Sequence, residues 1–496
     1  MTAVLKDVKF ILEWLVDFVL TVTMKKLTLL ILLFFSSMYA VQAQGVGAKF
    51  PASAVKADLE YLYKTLENAN YNLYAYVSKS EFDKAYVNSL KAISKKDSVS
   101  LLQATKLFQK FTATGNIGHT EVDFPAQSYI TYAYNGGTVF PLELAFEDGK
   151  AFIRKSYTDN PEIRAGQQLL SINKVPVKKI QQEIYPYISA ERPYFKDVKL
   201  EFWSLPRYYW AVFGEKDTFQ VQVKSANGKV ETHSLSAIPV LDYEGKRNEI
   251  TNSQRFFDIK HDVAYLNPGP FSSAKENGEE QFRAFIDSAF ADIKSKGVEH
   301  LVVDLRNNQG GDNSYSDYLI SYFADKPFRW YSKFSLKTSA VLKAQTRQNT
   351  PEDKIEDYAK AILSHKNGEV YEYTFPEQKP VDESKRLTGK IYVLVNRHTY
   401  SMAAVSAALI QDYNFATIVG EETGDVPTLY ASQFSFPLPN TGIVVKAAKG
   451  YIVRPNGDER LIGVVPDIKV RDHLIDEKDE ILDYTLNKVI NSSDPK

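Results

Sequence analysis

Three rhythms of apolar and polar positions divide the chain. From Lys56 to about Phe111, "VKADLEYLYKTLENA" and "LLQATKLFQKFTA" repeat apolar residues at three- and four-residue intervals, the spacing of amphipathic helices. From about Thr131 the period shortens to strands and turns. "VFPLELAFEDGKAFIRKSY" predicts a hairpin with Asp148-Gly149 at its tip, and "TFQVQVKSANGKVETHSL" predicts a second. From about Phe256 strands alternate with helices: "VAYLNPGPF", the helix "EEQFRAFIDSAFADIKSKG", the buried strand "HLVVDLR", then "KIYVLVN", the helix "SMAAVSAALIQDY" and "ATIVGEE". That is the βαβ rhythm of a mostly parallel sheet. Residues 325–388 interrupt it with a charged, partly helical insertion that reads as a cap or arm.

The rhythms set expected boundaries: an N-terminal helical domain over 44–125, a β-rich domain over 130–240, an α/β core over 250–480 and a tail over 481–496. A chain of 496 residues is too long for one core, which agrees with several domains. Ahead of them, "MKKLTLLILLFFSSMYAVQAQ" from Met24 has two lysines, an apolar run and Val41-Gln42-Ala43 before Gln44. This is the pattern of a secretory signal over 24–43, and it leaves residues 1–23 as an upstream extension. The mature protein is expected in the periplasm or outside the cell, with no stable membrane insertion once the signal is removed.

Charge and composition remove whole classes of function. Lys+Arg number 60 against Asp+Glu 61, so there is no basic field for nucleic acid. With no cysteine there is no disulfide, thiolate metal site or cysteine nucleophile. H-E-x-x-H, Walker and G-x-G-x-x-G patterns are absent too, so no metal and no cofactor is expected.

The chemistry concentrates at two strand ends. "VVDLRNNQGGDNSYSDYLISYF" leaves a buried strand through Gly310-Gly311 before entering a helix. "YVLVNRHTYSMAAVSAALI" leaves another through a turn to Ser401, where a helix of small residues begins. A hydroxyl there lies by the free N–H groups and positive end of the helix dipole, which favour a nucleophile or an adjacent oxyanion. A plain N-cap role for Ser401 is the competing reading. Adjacent parallel strands bring such turns to one sheet edge. The Gly310-Gly311 turn and the Met402 N–H are therefore candidate oxyanion donors.

These stretches, with "VGEETGD" and "ERLIGVVPDIKV", occur in the order and approximate spacing of C-terminal processing (tail-specific) serine peptidases. The resemblance runs from about residue 110 to 472. It implies a crotonase/ClpP-like α/β core with an inserted PDZ-like domain, matched loosely by "RAGQQLLSINKVPV". The processing branch carries a base lysine after its Thr-x-Gly turn, but no lysine lies between Lys390 and Lys446 here. The tricorn-like branch uses a histidine and a late glutamate instead. "NIGHTEV" supplies His119 and Glu459 is the matching acid, with Gly118 where that branch has a serine. The resemblance thus implies Ser401 as nucleophile, His119 as base and Glu459 as the orienting acid. His398 is the substitute base, and Lys446 or Lys449 would serve a displaced Ser-Lys dyad. Histidine chemistry predicts a pH–rate limb at about 6–7.

A PDZ-like domain would capture a peptide strand by β-augmentation, and Gly136-Gly137 of "YNGGTVFPL" reads equally as a carboxylate cradle or as a hairpin turn. The expected function is that of an exported serine endopeptidase acting on extended or C-terminal protein segments through an acyl-enzyme. The alternative is a non-catalytic peptide- or hydrophobic-ligand-binding protein on the same scaffold.

Overall fold

The computed structural model describes residues 48–490, apart from 248–249, 251–252, 261, 276, 352–354 and 477. The signal segment and the upstream extension lie outside the described residues. The chain is a mixed α/β protein in which helices pack against several sheets.

The helices Ala52–Ala69, Lys79–Ile93 and Leu101–Ala113 follow the sequence period, and two of them open with capping boxes, Ser78 with Glu81 and Ser100 with Gln103. Their apolar faces, including Leu62, Phe82 and Phe108, share one core with Leu342, Ile362 and Phe434. Residues 325–388 are thus woven into the fold. The strands Lys333–Lys337 and Val370–Glu372 extend an antiparallel sheet whose other members are Val444–Val453 and Leu429–Pro437. The two-residue strand Glu121–Val122 pairs with Lys446 and Val445 of this sheet, and so fixes the turn carrying His119.

The mostly parallel sheet runs in the order Phe256–Lys260, Val263–Asn267, His300–Asp304, Lys390–Val395, Thr417–Gly420, Ile468–Lys469. Only its first pair is antiparallel. Every residue of His300–Asp304 is buried, as the unbroken apolar run requires of a strand covered on both faces.

Both predicted hairpins form. Leu142–Glu147 pairs with Lys150–Ser156 across Asp148-Gly149, where both residues have positive φ, and Thr218–Lys224 pairs with Val230–Ser236. With Gln168–Ile172 and Val175–Pro176 they build a six-stranded antiparallel sheet. The period change was expected near Thr131, but the helix Ala126–Tyr134 continues past it, because Tyr129 and Ala133, one turn apart, are buried together. Helices Pro193–Trp203 and Leu205–Phe213 also belong to this region. They cover strand Leu142–Glu147, all six residues of which are buried. No described helix is long and apolar enough to cross a membrane.

Candidate active site

Strands His300–Asp304 and Lys390–Val395 are parallel neighbours, so their C-terminal turns meet. Side chains then join the turns. Asn396 Nδ2 donates to Asn307 Oδ1 (2.9 Å), the Asn307 N–H donates back to Asn396 Oδ1 (3.1 Å), and Thr399 Oγ1 donates to Leu305 O (2.9 Å). The Tyr400 N–H donates to Asn308 O at 2.9 Å. Polar residues were needed at these positions because the backbone groups leaving a buried strand have no ladder partner.

Ser401 emerges from this junction at φ 53°, ψ −128°, with no capping bond from its side chain. A non-glycine residue in such a sparsely populated region costs about 1–3 kcal/mol and persists only where its surroundings enforce it. The hydroxyl is therefore not an N-cap. It lies 3.2 Å from His119 Nε2. His119 is 3 % exposed and its ring stacks on Tyr400, with centroids 5.1 Å apart at 14°. Burial first, then Lys199, lowers its pKa to about 3, so the imidazole is neutral and ready to accept a proton.

Two acids that the sequence reading did not identify, Asp425, which is buried, and Glu191, which is half-buried, adjoin this pair. Asp425 is fully buried. Its Oδ2 accepts the Ser401 N–H at 2.8 Å and lies 3.8 Å from His119 Nε2. Burial, then the neighbouring Glu191 carboxylate, pushes its pKa up to about 7. Glu191 Oε1 accepts the Gly118 N–H at 2.6 Å, and burial raises its pKa too. A Cβ on Gly118 would meet Glu191 Oε2 at 2.6 Å, so this carboxylate fills the space a serine side chain would need. Asp425 lies within the quoted "VGEETGD", and its burial was the signal that the sequence does not carry.

The glycine turn presses directly on the helix that Met402 begins. A Cβ on Gly310 (φ 79°) would meet Met402 N at 2.5 Å. The Gly310 N–H is itself committed to Asn308 Oδ1 at 2.8 Å, which corrects its expected role. It is a spacer and not a donor. Gly311 and Met402 retain backbone N–H groups with no protein acceptor among the described residues.

Segment 191–203 braces all of these parts. Arg192 Nη2 donates to the carbonyls of Thr423 (3.1 Å) and Gly424 (2.9 Å), beside Asp425. Lys199 Nζ donates to Gly118 O at 2.9 Å. Phe195 and Phe202 pack on Tyr400, with ring centroids 5.5 and 6.2 Å away.

Other expected site residues fall elsewhere. Glu459 is exposed, and its Oε2 accepts the Tyr451 hydroxyl at 2.7 Å, because "PNGDE" forms a surface turn; Asp425 occupies the place beside the imidazole. The Gly136 and Gly137 N–H groups donate to Ala133 O (3.1 Å) and Tyr132 O (2.9 Å). They end a helix, as a positive-φ glycine does, and leave no carboxylate cradle. Lys446 pairs with Asp123 at 2.7 Å, Lys449 donates to Ser432 O and Oγ at 2.8 and 2.9 Å, and His398 bonds Glu201 at 2.7 Å. None of the three is paired with Ser401.

Residues 262–470 match the family model described as Peptidase family S41. These residues thus form a serine-type peptidase domain similar to the family that the motifs resemble. Among solved structures, mature CPAF aligns at 16% identity and a TM-score of 0.55, covering 84% of this chain and 92% of that one. A serine-to-alanine mutant of CPAF aligns at 16% identity and a TM-score of 0.57, covering 84% and 93%. Mature CPAF complexed with lactacystin gives 16%, 0.55, 84% and 94%. At this identity the likeness establishes a shared fold.

Proposed function

We propose that the protein is an exported serine endopeptidase in which Ser401 is the nucleophile and His119 the base. One observation carries the reading: the strained Ser401 hydroxyl faces a neutral, buried His119 Nε2 at 3.2 Å, at a turn where two backbone N–H groups have no protein acceptor among the described residues. In the reaction, Nε2 takes the Ser401 proton while Oγ attacks the scissile carbonyl carbon. The developing oxyanion accepts the N–H groups of Gly311 and Met402. The imidazolium then gives its proton to the leaving amine, and water attacks the acyl-enzyme with the same base. Asp425, 3.8 Å from Nε2, and Glu121 are the carboxylates that stabilise the transient imidazolium. Asp425 also holds the Ser401 N–H and with it the strained turn.

Extended protein segments are the proposed substrates, and export rests on the signal pattern of residues 24–43. The test is covalent labelling by a fluorophosphonate followed by peptide mapping. Label on Ser401, lost in Ser401→Ala and strongly slowed in His119→Ala, is the expected result. A folded protein that takes no label, or cleaves peptides unimpaired as Ser401→Ala, refutes the assignment. N-terminal sequencing of exported protein should begin at or near Gln44.

A further inference from the structure

Glu201 lies on helix Pro193–Trp203 and is 3 % exposed. A carboxylate is buried at a cost of several kcal/mol unless both oxygens are satisfied. Here each oxygen serves a different part of the molecule. Oε1 accepts the N–H of Phe146, on strand Leu142–Glu147 of the inserted sheet, at 2.6 Å. Oε2 accepts His398 Nε2–H at 2.7 Å and lies 3.1 Å from Arg397 Nε. Arg397 and His398 precede the nucleophile by four and three residues. The strand Leu142–Glu147 is the outer member of its sheet, and among the described residues its only strand partner is Lys150–Ser156. The Phe146 N–H is therefore a group that another strand would otherwise take, and Glu201 holds it.

We propose that Glu201 is a positioning residue that ties the edge of the inserted sheet to the nucleophile turn, so that the sheet sets the Ser401–His119 geometry. The proposal rests on the peptidase reading above. Three observations support it. The link is short: one side chain spans from the sheet edge to the turn. It is buried, so water does not screen it. It is also backed by the same helix, because Phe195, Lys199 and Phe202 reach Tyr400 and Gly118 on the two sides of the catalytic pair. Arg397 has further acidic neighbours, Glu147 Oε1 at 3.6 Å and Glu421 Oε1 at 3.5 Å. Loss of the Glu201 charge would let the guanidinium swing towards them and pull the turn with it.

The experiment compares wild type, Glu201→Gln, Phe146→Ala and Phe146→Pro. Each is assayed for kcat and KM on a short peptide reporter and for the rate of fluorophosphonate labelling of Ser401, all per folded molecule. Proline at 146 removes the N–H that Glu201 holds, and an edge position tolerates it; alanine removes only the ring. Glu201→Gln should lower kcat and the labelling rate together by about ten- to a hundredfold, the scale of a misplaced catalytic group, with KM little changed. Phe146→Pro should fall several-fold below Phe146→Ala in both rates. A purely structural role would lower the folded fraction but leave the rate per folded molecule unchanged. Wild-type rates for Glu201→Gln overturn the positioning role. Equal rates for the two Phe146 variants overturn the link to the sheet edge, and they decide the matter alone if Glu201→Gln does not fold. An unlabelled wild type would instead remove the Ser401 assignment itself.

Discussion

Replacing Gly310 with alanine is the sharpest test of how the site is built. Two costs add at that position. The backbone φ of 79° lies where an L side chain is strained, at about 1–2 kcal/mol. The new methyl would also stand 2.5 Å from Met402 N, against the 3.0 Å below which real Cβ contacts essentially never occur. Met402 must therefore retreat by about half an ångström, and it cannot do so alone because it begins the buried helix Met402–Tyr413. Its N–H is one of the two proposed oxyanion donors. Complete loss of such a donor costs about 3 kcal/mol in kcat, so a displaced one should cost about ten- to a hundredfold. Gly136→Ala supplies the control. Its φ is 81°, but nothing lies within 4 Å of the added methyl. Both variants should lose thermal stability, and Gly310→Ala alone should lose kcat on a peptide reporter, with KM within about twofold where ground-state binding is unaffected. A folded Gly310→Ala enzyme with kcat within about threefold of wild type would refute the proposed packing of donor against glycine.

Other outcomes follow from the same geometry. His119, held at about 3 by burial and Lys199, titrates below its unfolded value of about 6.5. The unfolded chain binds the extra proton between those values, so this group's contribution to stability is full above the unfolded value and is lost as pH falls towards 3. Denaturant melts of wild type minus His119→Asn should show that sign; a contribution that grows on acidification contradicts it. The limb of kcat/KM near pH 7 should belong to the Asp425–Glu191 carboxylates, with activity rising as the pair ionises, and should shift or vanish in Asp425→Asn. Glu459→Gln should keep kcat within about threefold, as expected of a surface group; a loss of a hundredfold would return Glu459 to the mechanism. Deleting residues 130–240 should abolish turnover of short and long substrates alike, because that stretch contains Glu191, Lys199 and Glu201. Surviving cleavage of a short reporter would show the region to be a detachable docking module.

What the sequence disclosed depended on whether the signal was local. The βαβ rhythm and both hairpins were legible because alternation, turn residues and buried runs are properties of neighbouring positions. Ser401 and the glycine pair stood out for the same reason, at strand-to-helix switches. His119 was placed by its position in the motif order and not by any local pattern. Glu191, Glu201 and Asp425 gave no warning, since a carboxylate next to charged or turn residues looks like a solvated one until the fold buries it. Gly136-Gly137 misled because a glycine pair after a short helix and one in a binding loop share the same letters. Which it is depends on the carbonyls of Tyr132 and Ala133 one turn back.

The strand Glu121–Val122 has a consequence in time. The histidine it positions stands 282 residues before Ser401, and its sheet partners, Val445 and Lys446, come later still. A chain emerging from the ribosome therefore presents the histidine early, without a serine. When the serine appears, the strand that holds the histidine opposite it is not yet made. On the proposed mechanism, hydrolytic competence arrives only once Val445 and Lys446 have been made. The order of synthesis would thus act as a safety interval, keeping the unfinished chain harmless to the machinery that builds it.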